Sequence, residues 1–292
     1  NRNGSVLRSA WPSRRVSLIG EKELMDTVSG EFFYRKPLRE DEPKPAFGLV
    51  EPDPDRPDHQ SFTKKVSNAR GTNQSLKESG FKLIEHVSSV DDFYDDQTVM
   101  ETYYPEMAEL VKQQTDASAV HIVSHITRNE AEAQSGKRLG AHRLVHNDFT
   151  PQFLDTIEPL IGEANPKPDR VAVYNLWRRF DKDCVDAPLA LCDSRTVSEE
   201  ELIPTDLHNY GSGEGFQVEI FQSSYRESHH WYYYPKMNRE ELVMFKTYDS
   251  SESPFVPTLH SAFDDQTILG ANVSPRESIE VRAICFFFDG KQ

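Results

Sequence analysis

The sequence has little cysteine, no long apolar run and no basic block, and each absence removes a class of protein. Its three cysteines, Cys184, Cys192 and Cys285, are odd in number and widely spaced. With no C-x-x-C among them, neither a disulfide framework nor a thiolate zinc site is indicated. They read as reduced thiols of a cytoplasmic protein. No apolar run approaches the roughly 20 residues that span a bilayer. No secretory h-region precedes the N-x-S sequons at Asn3, Asn73 and Asn272. A soluble protein with no membrane partner is expected. The first residue is not Met, so the start is expected to have been trimmed, and a targeting segment ahead of it stays open. Lys and Arg number 33 against 48 Asp and Glu, for a formal net charge of −15, and the basic residues are scattered. Such a surface repels phosphate backbones, so nucleic acid is excluded as an expected partner. Also missing are a GxGxxG after a strand, a P-loop, a G-x-S-x-G and an H-E-x-x-H. The GSGEG run at 211–215 reads as a loop.

What remains is a chain of 292 residues, 37% apolar and 11% aromatic, enough for the core of one elaborated domain. Residues 1–75 read as an irregular N-terminal arm wrapping that domain, because Glu42 to Gln60 is crowded with Pro and Asp. Residues 76–292 read as the domain itself, the whole forming one structural unit. Apolar residues at near-helical spacing predict a helix over Asp91–Gln114, capped by Asp91 or Asp92, with a break or restart at Pro105. A second helix is predicted over Pro151–Ile161. From residue 119 onward, short β-branched and aromatic runs alternate with turn residues. The resulting fold class is mainly β with flanking helices, a closed or two-sheet architecture such as a jelly roll.

Two groups of residues carry candidate chemistry. In His146-Asn147-Asp148, positions i and i+2 of a strand share a face, so imidazole and carboxylate can converge on one ion. One further His completes a facial triad for non-haem Fe(II), and His260 in VPTLHSAF is the natural third member. The strand ELVMFKTYD just before it is expected to lie beside it. Taken alone, H-x-D is a weak pattern, and a surface-strand His beside a turn Asp is the blander and more frequent reading. In the second group, Arg276, Ser278, Glu280 and Arg282 alternate on one strand face. Two guanidiniums facing an interior call for an anion, and a dicarboxylate fits their fork geometry; a salt-bridged strand is the bland alternative. Trp177, Trp231 and Tyr233 are candidate walls of a substrate pocket, although strand aromatics mostly fill cores. The pairs His121/His125, His142/His146 and His229/His230 are read as core or cleft residues.

Several motifs occur together in a distinctive order. They are LKESGFKLIEHVSSVDDFYDDQTVMETYYPEM (76–107), VSHITR (123–128), VHNDFT (145–150), NLWR (175–178), PLALCDSRTV (188–197), HWYYYPKMNREELVMFKTYDS (230–250), TLHSAFDD (258–265) and RESIEVRA (276–283). This series resembles the fungal secondary-metabolite hydroxylase/desaturase family that includes gibberellin desaturase, with the bacterial cephalosporin 7α-methoxylase component as a relative. The resemblance spans roughly residues 30–290. It implies a double-stranded β-helix core and a non-haem Fe(II)/2-oxoglutarate oxygenase that hydroxylates or desaturates a small-molecule secondary metabolite through a ferryl intermediate. It carries His146, Asp148 and His260 across as catalytic metal ligands, and Arg276, Ser278 and Arg282 as candidates for the cosubstrate carboxylate. Which arginine binds it stays open. Two departures stand out: Asn147 replaces the Val usual between the first two ligands, and Leu259 replaces the Pro before the distal His. The implied cofactors are Fe(II) and 2-oxoglutarate. The implied partners are O2 and a small, apolar or polycyclic substrate, with a homodimer among the allowed states. Two other readings remain at this level: a metal-dependent isomerase or lyase without 2-oxoglutarate, and a non-catalytic partner subunit of an oxygenase. Arg143, Trp177, Asp193 and Lys246 are candidates to orient the ligands.

Overall fold

β-Branched and aromatic runs become fifteen strands in the computed structural model, which describes residues 26–47, 56–162, 167–181, 186–208, 217–268 and 273–288. In chain order they are β1 (Thr27–Arg35), β2 (Ala46–Phe47), β3 (His59–Asn68), β4 (Phe81–Glu85), β5 (Ala119–Asn129), β6 (His146–Asn147), β7 (Arg170–Arg179) and β8 (Leu189–Cys192). After them come β9 (Leu202–His208), β10 (Gln217–Ser223), β11 (Trp231–Tyr233), β12 (Glu241–Asp249), β13 (His260–Ala262), β14 (Asp264–Asp265) and β15 (Glu277–Phe287). They form two sheets, one in the order β14-β1-β3-β11-β8-β13-β6-β10-β9-β2 and one in the order β4-β12-β7-β15-β5. Most pairings are antiparallel; β11–β3 and β2–β9 are parallel. The expected jelly roll is the observed architecture.

The smaller sheet is covered on both faces, which explains why all nine residues of β12 are buried. On its outer face Tyr174 and Leu176 of β7 and Ile279 and Val281 of β15 pack against Tyr103, Met107 and Val111. Those last three lie on the helical run built from α1 (Asp96–Thr98), a π turn (Val99–Tyr103) and α2 (Tyr104–Thr115). Asp95 caps the run by accepting from the Gln97 amide, three or four residues later than the predicted cap. Pro105 does not break it. The π turn pairs the Tyr104 amide with the Val99 carbonyl, five residues back, and Pro105 then sits in the first turn of α2, where a missing N–H costs little. Two further helices follow, α3 (Glu130–Ala133) and α4 (Phe153–Gly162), the latter starting two residues after the predicted point.

The expectation of an irregular stretch over 1–75 is corrected for the residues described. β1 and β3 pair in continuous antiparallel register from Thr27↔Ser67 to Arg35↔His59. Alternation is present in TVSGEFFYR, where Val28, Phe32 and Tyr34 are buried, but Gly30 interrupts it. A Cβ at Gly30 would lie 2.6 Å from the Phe263 ring, so the aromatic that completes this face comes from the far end of the chain. Residues 1–25 and 48–55 of the predicted arm lie outside the described residues, as do Cys184, Asn3, Asn272 and the 211–215 run.

One glycine ties the fold to the site. Gly80 has φ +90°, and an added Cβ would overlap the Thr258 hydroxyl. Gly80→Ala combines left-handed strain with a clash, and is expected to destabilise the protein by about 3 kcal/mol in urea unfolding. Because the Thr258 carbonyl faces His260, the setting of that imidazole is expected to shift as well.

Candidate active site

His146 and His260 are brought together by strand pairing. They are direct partners across the β6–β13 ladder, and their ring centroids are 4.2 Å apart. Asp148 lies just past the end of β6, where the chain bends. Its Oδ1 is 3.4 Å from His146 Nε2 and 3.8 Å from His260 Nε2. One ligand atom from each of the three residues lies within 4.8 Å of the others.

Neighbouring groups decide which atoms face inward. His146 Nδ1 is 2.8 Å from the Leu144 carbonyl, and His260 Nδ1 is 3.2 Å from the Thr258 carbonyl. A carbonyl can only accept, so each Nδ1 carries the proton and each Nε2 presents a lone pair. Asp148 Oδ2 accepts from Asn175 Nδ2 at 2.8 Å and from Arg282 Nε at 2.7 Å, leaving Oδ1 toward the imidazoles. Asn175 and Arg282 are themselves direct partners on β7 and β15. Two neutral imidazoles and one carboxylate oxygen on one side of an ion make the donor set of a facial Fe(II) triad.

The triad opens on a cavity with two unlike sides. The smaller sheet contributes Arg128, Glu280, Arg282 and Trp177 to the lining, with Arg276 at the entrance to β15, and the larger sheet contributes Phe47, Leu189, Leu207 and Ile220. Arg276 is 2% exposed, and its Nη1 donates to the Ala187 carbonyl at 2.6 Å. Its Nε has no partner, and neither has the buried Ser278 Oγ. Unpaired buried donors are costly. Burial pulls the Arg276 guanidinium down to about 10; Glu130 and Asp186 oppose the shift, and Arg128 and Arg143 add to it. A guanidinium keeps its proton in practice, so the shift records the cost of burying that charge. These donors and the triad fit a carboxylate-bearing cosubstrate and a metal.

A family model described as an oxidoreductase/YMDC permease-like domain matches residues 32–286. The chain is 30% identical to the alpha-ketoglutarate-dependent dioxygenase phiK from Fungal sp., over 76% of this chain and 83% of the relative. It is 31% identical to the Fe(II)/2-oxoglutarate-dependent dioxygenase nvfI of Aspergillus novofumigatus, over 72% and 73% of the two chains. The solved structure of the iron and alpha-ketoglutarate-dependent endoperoxidase NvfI superposes with a TM-score of 0.76 at 27% identity, over 90% of this chain and 99% of that one. The chain belongs to the Fe(II)/2-oxoglutarate-dependent dioxygenases.

Fe(II) is the metal of such a dioxygenase and 2-oxoglutarate its cosubstrate, alongside O2 and a small-molecule substrate. Its charges are prepared for a cation. Burial alone would raise the Asp148 carboxyl, but Arg282, the His146 contact and the two imidazoles hold it well below the usual carboxylate range. Burial pushes His260 down to about 3, and His146 adds to that shift, so the imidazole is neutral and ready to ligate at neutral pH. Burial raises the Glu280 carboxyl against the pull of Arg282.

Several sequence expectations change here. Arg282 lines the cavity with its Nε donating to Asp148 and its Nη2 to Glu280 at 2.9 Å. Trp231 and Tyr233 are not pocket walls. Both pack in the core with Phe32 and Phe263, and Trp231 Nε1 donates to the Tyr34 hydroxyl. Of the three aromatics, only Trp177 reaches the cavity. The strand before His260, β12, lies in the other sheet; the neighbours of β13 are β6 and β8. Arg143 pairs with Glu130 and Asp264, Asp193 with Arg195, and Lys246 with Glu252, so none of the three reaches a ligand. Asn175 was the residue missed. Its signal is a lone amide in the apolar run VAVYNLW, an unlikely filler unless it has a polar partner. His142 stacks edge-on against His146 and lines the cavity, whereas His229 is buried between Tyr34 and Glu201.

Proposed function

We propose that His146, Asp148 and His260 hold the Fe(II), and that Arg276 with Ser278 takes the distal carboxylate of 2-oxoglutarate. The protein then hydroxylates or desaturates an apolar small molecule. The observation that carries this reading is the division of labour at Asp148, with Oδ2 engaged by Asn175 and Arg282 and Oδ1 left beside two Nε2 atoms. When bound, the iron and 2-oxoglutarate supply, with O2, the oxidising power to break an unactivated C–H bond, leaving succinate and CO2. The chain's own residues bind and orient. Thr258 and Leu144 carbonyls set the imidazole tautomers, Arg282 and Asn175 hold the carboxylate in one pose, and Arg276 supplies a pre-placed positive charge. Phe47, Leu207 and Ile220 give the opposite wall an apolar face that suits a hydrocarbon-rich substrate and limits water. An isomerase or lyase without a keto acid would leave the unpaired Arg276 Nε and Ser278 Oγ unexplained.

No helix among the described residues is long and apolar enough to cross a membrane. Cys192 and Cys285 are free and buried, which supports placing the protein in the reducing cytoplasm. The direct test is anaerobic mixing of purified protein with Fe(II) and 2-oxoglutarate. A visible metal-to-ligand charge-transfer band is expected; a flat spectrum with both present would count against the reading.

A further inference from the structure

Asp148 is held from a second side, by its neighbour Asn147. That residue is fully buried, and its Nδ2 donates to the Phe149 carbonyl at 2.6 Å and to the Thr247 carbonyl at 2.9 Å. The first bond reaches over Asp148, joining the residue before it to the residue after it, so the backbone that carries the Asp148 side chain is closed into a small ring. The second bond ties this ring to β12 in the other sheet. A break in regular pairing supplies the acceptor. Lys246 and Tyr248 lie opposite Tyr174 and Val173, consecutive residues of β7, so Thr247 bulges out of the ladder. A bulged residue is left unpaired in its ladder, and its groups can turn elsewhere. The Thr247 hydroxyl lies 3.2 Å from the Val173 carbonyl and 3.4 Å from Asn175 Oδ1. Asn175 in turn donates to Asp148 Oδ2 at 2.8 Å. The circuit from Asp148 through Asn147, Thr247 and Asn175 thus returns to the same carboxylate.

We propose that Asn147 is a positioning residue for the metal centre: with the Thr247 bulge it braces the turn at Asp148, so that Oδ1 is presented in a single pose. The inference rests on the reading of His146, Asp148 and His260 as the metal ligands. Stability alone does not account for the amide. Asn147 Oδ1 is buried without a hydrogen-bond partner, and an unmet buried acceptor costs about as much as the two Nδ2 bonds contribute. A Val would shed that cost and give up those bonds, an exchange close to balance. What Val cannot do is fix the backbone on both sides of Asp148. A cation held through one carboxylate oxygen binds more tightly when that oxygen is already in place, because ordering it on binding lowers the affinity.

The test titrates Co(II) into metal-free protein without cosubstrate, since its visible d–d absorption reports both occupancy and ligand geometry. In N147V the Co(II) Kd is expected to weaken by about 10-fold, the lower end of the range for groups that hold metal ligands, with an altered d–d spectrum. V66A, a truncation in the separate core around Trp231, controls for lost stability and is expected to keep the parent affinity and spectrum. D148A is expected to weaken binding by a larger factor than N147V. Parent affinity and spectrum in N147V, beside a loss in D148A, overturn the brace and leave the ligand reading standing. Parent affinity in D148A overturns the ligand reading and the brace with it. A loss in V66A equal to that in N147V assigns the effect to general destabilisation and also overturns the brace. Should N147V not fold, T247V decides, because it removes the hydroxyl that links to Asn175. Its Kd is expected to weaken by about 3- to 10-fold, and an unchanged value overturns the proposal.

Discussion

Asp148→Ala is expected to reduce succinate formation to the level of metal-free protein, and His146→Ala to do the same. Each removes one of the three ligand atoms that lie within 4.8 Å of one another among the described residues. Asp148 also carries the negative charge that makes a buried pair of imidazoles attractive to a dication. Its removal leaves Arg282 and the Asn175 amide without their shared acceptor, so the charge becomes more positive at the proposed metal position. Asn175→Ala leaves all three ligands in place and frees only the carboxylate's orientation. Its iron affinity is expected to fall by about 10- to 100-fold, the usual range for a group that holds a ligand. The measurement is succinate released against added Fe(II), with thermal melting to confirm folding. Wild-type rates in either ligand variant would remove these residues from the metal site.

Arg276→Gln is expected to raise the KM for 2-oxoglutarate by about 10- to 100-fold, with kcat at saturation far less affected. Its guanidinium is buried and its Nε lacks a hydrogen-bond partner. Ser278→Ala removes a neutral donor two residues away, so a smaller rise of about 2- to 10-fold is expected. Arg282→Gln separates the two arginines. Because Arg282 holds Asp148, its loss should lower iron retention and kcat without singling out the KM for 2-oxoglutarate. Initial rates of succinate formation across a 2-oxoglutarate series, at saturating Fe(II), read out all three. A KM unchanged in Arg276→Gln and raised in Arg282→Gln would exchange their roles.

Local pattern made the β-rich class, both helix regions and the three candidate ligands legible. These depend on near-neighbour chemistry: β-branched alternation, an Asp cap, an H-x-D triplet and a late His in a strand. Pairing between distant segments was not legible there. β1 and β3 went unread because Gly30 breaks the alternation, and the ring that fills its place is Phe263, from the other end of the chain. The partner strand of His260 went to the wrong sheet for the same reason, since adjacency in sequence does not dictate adjacency in a jelly roll.

The sequence by itself determined that a His, an Asp and a second His were available to one metal, and that arginines were present for an anion. Only the tertiary structure decided what each arginine does. Arg276 and Arg282 are alike in type and share a strand face by pattern. One ends against the Ala187 carbonyl with Nε unpaired, and the other ends on Asp148. The difference lies in what the opposing sheet and the loops bring to each position. A guanidinium's role is set by the partner it meets in a low-dielectric interior, and that partner comes from residues far away in the chain.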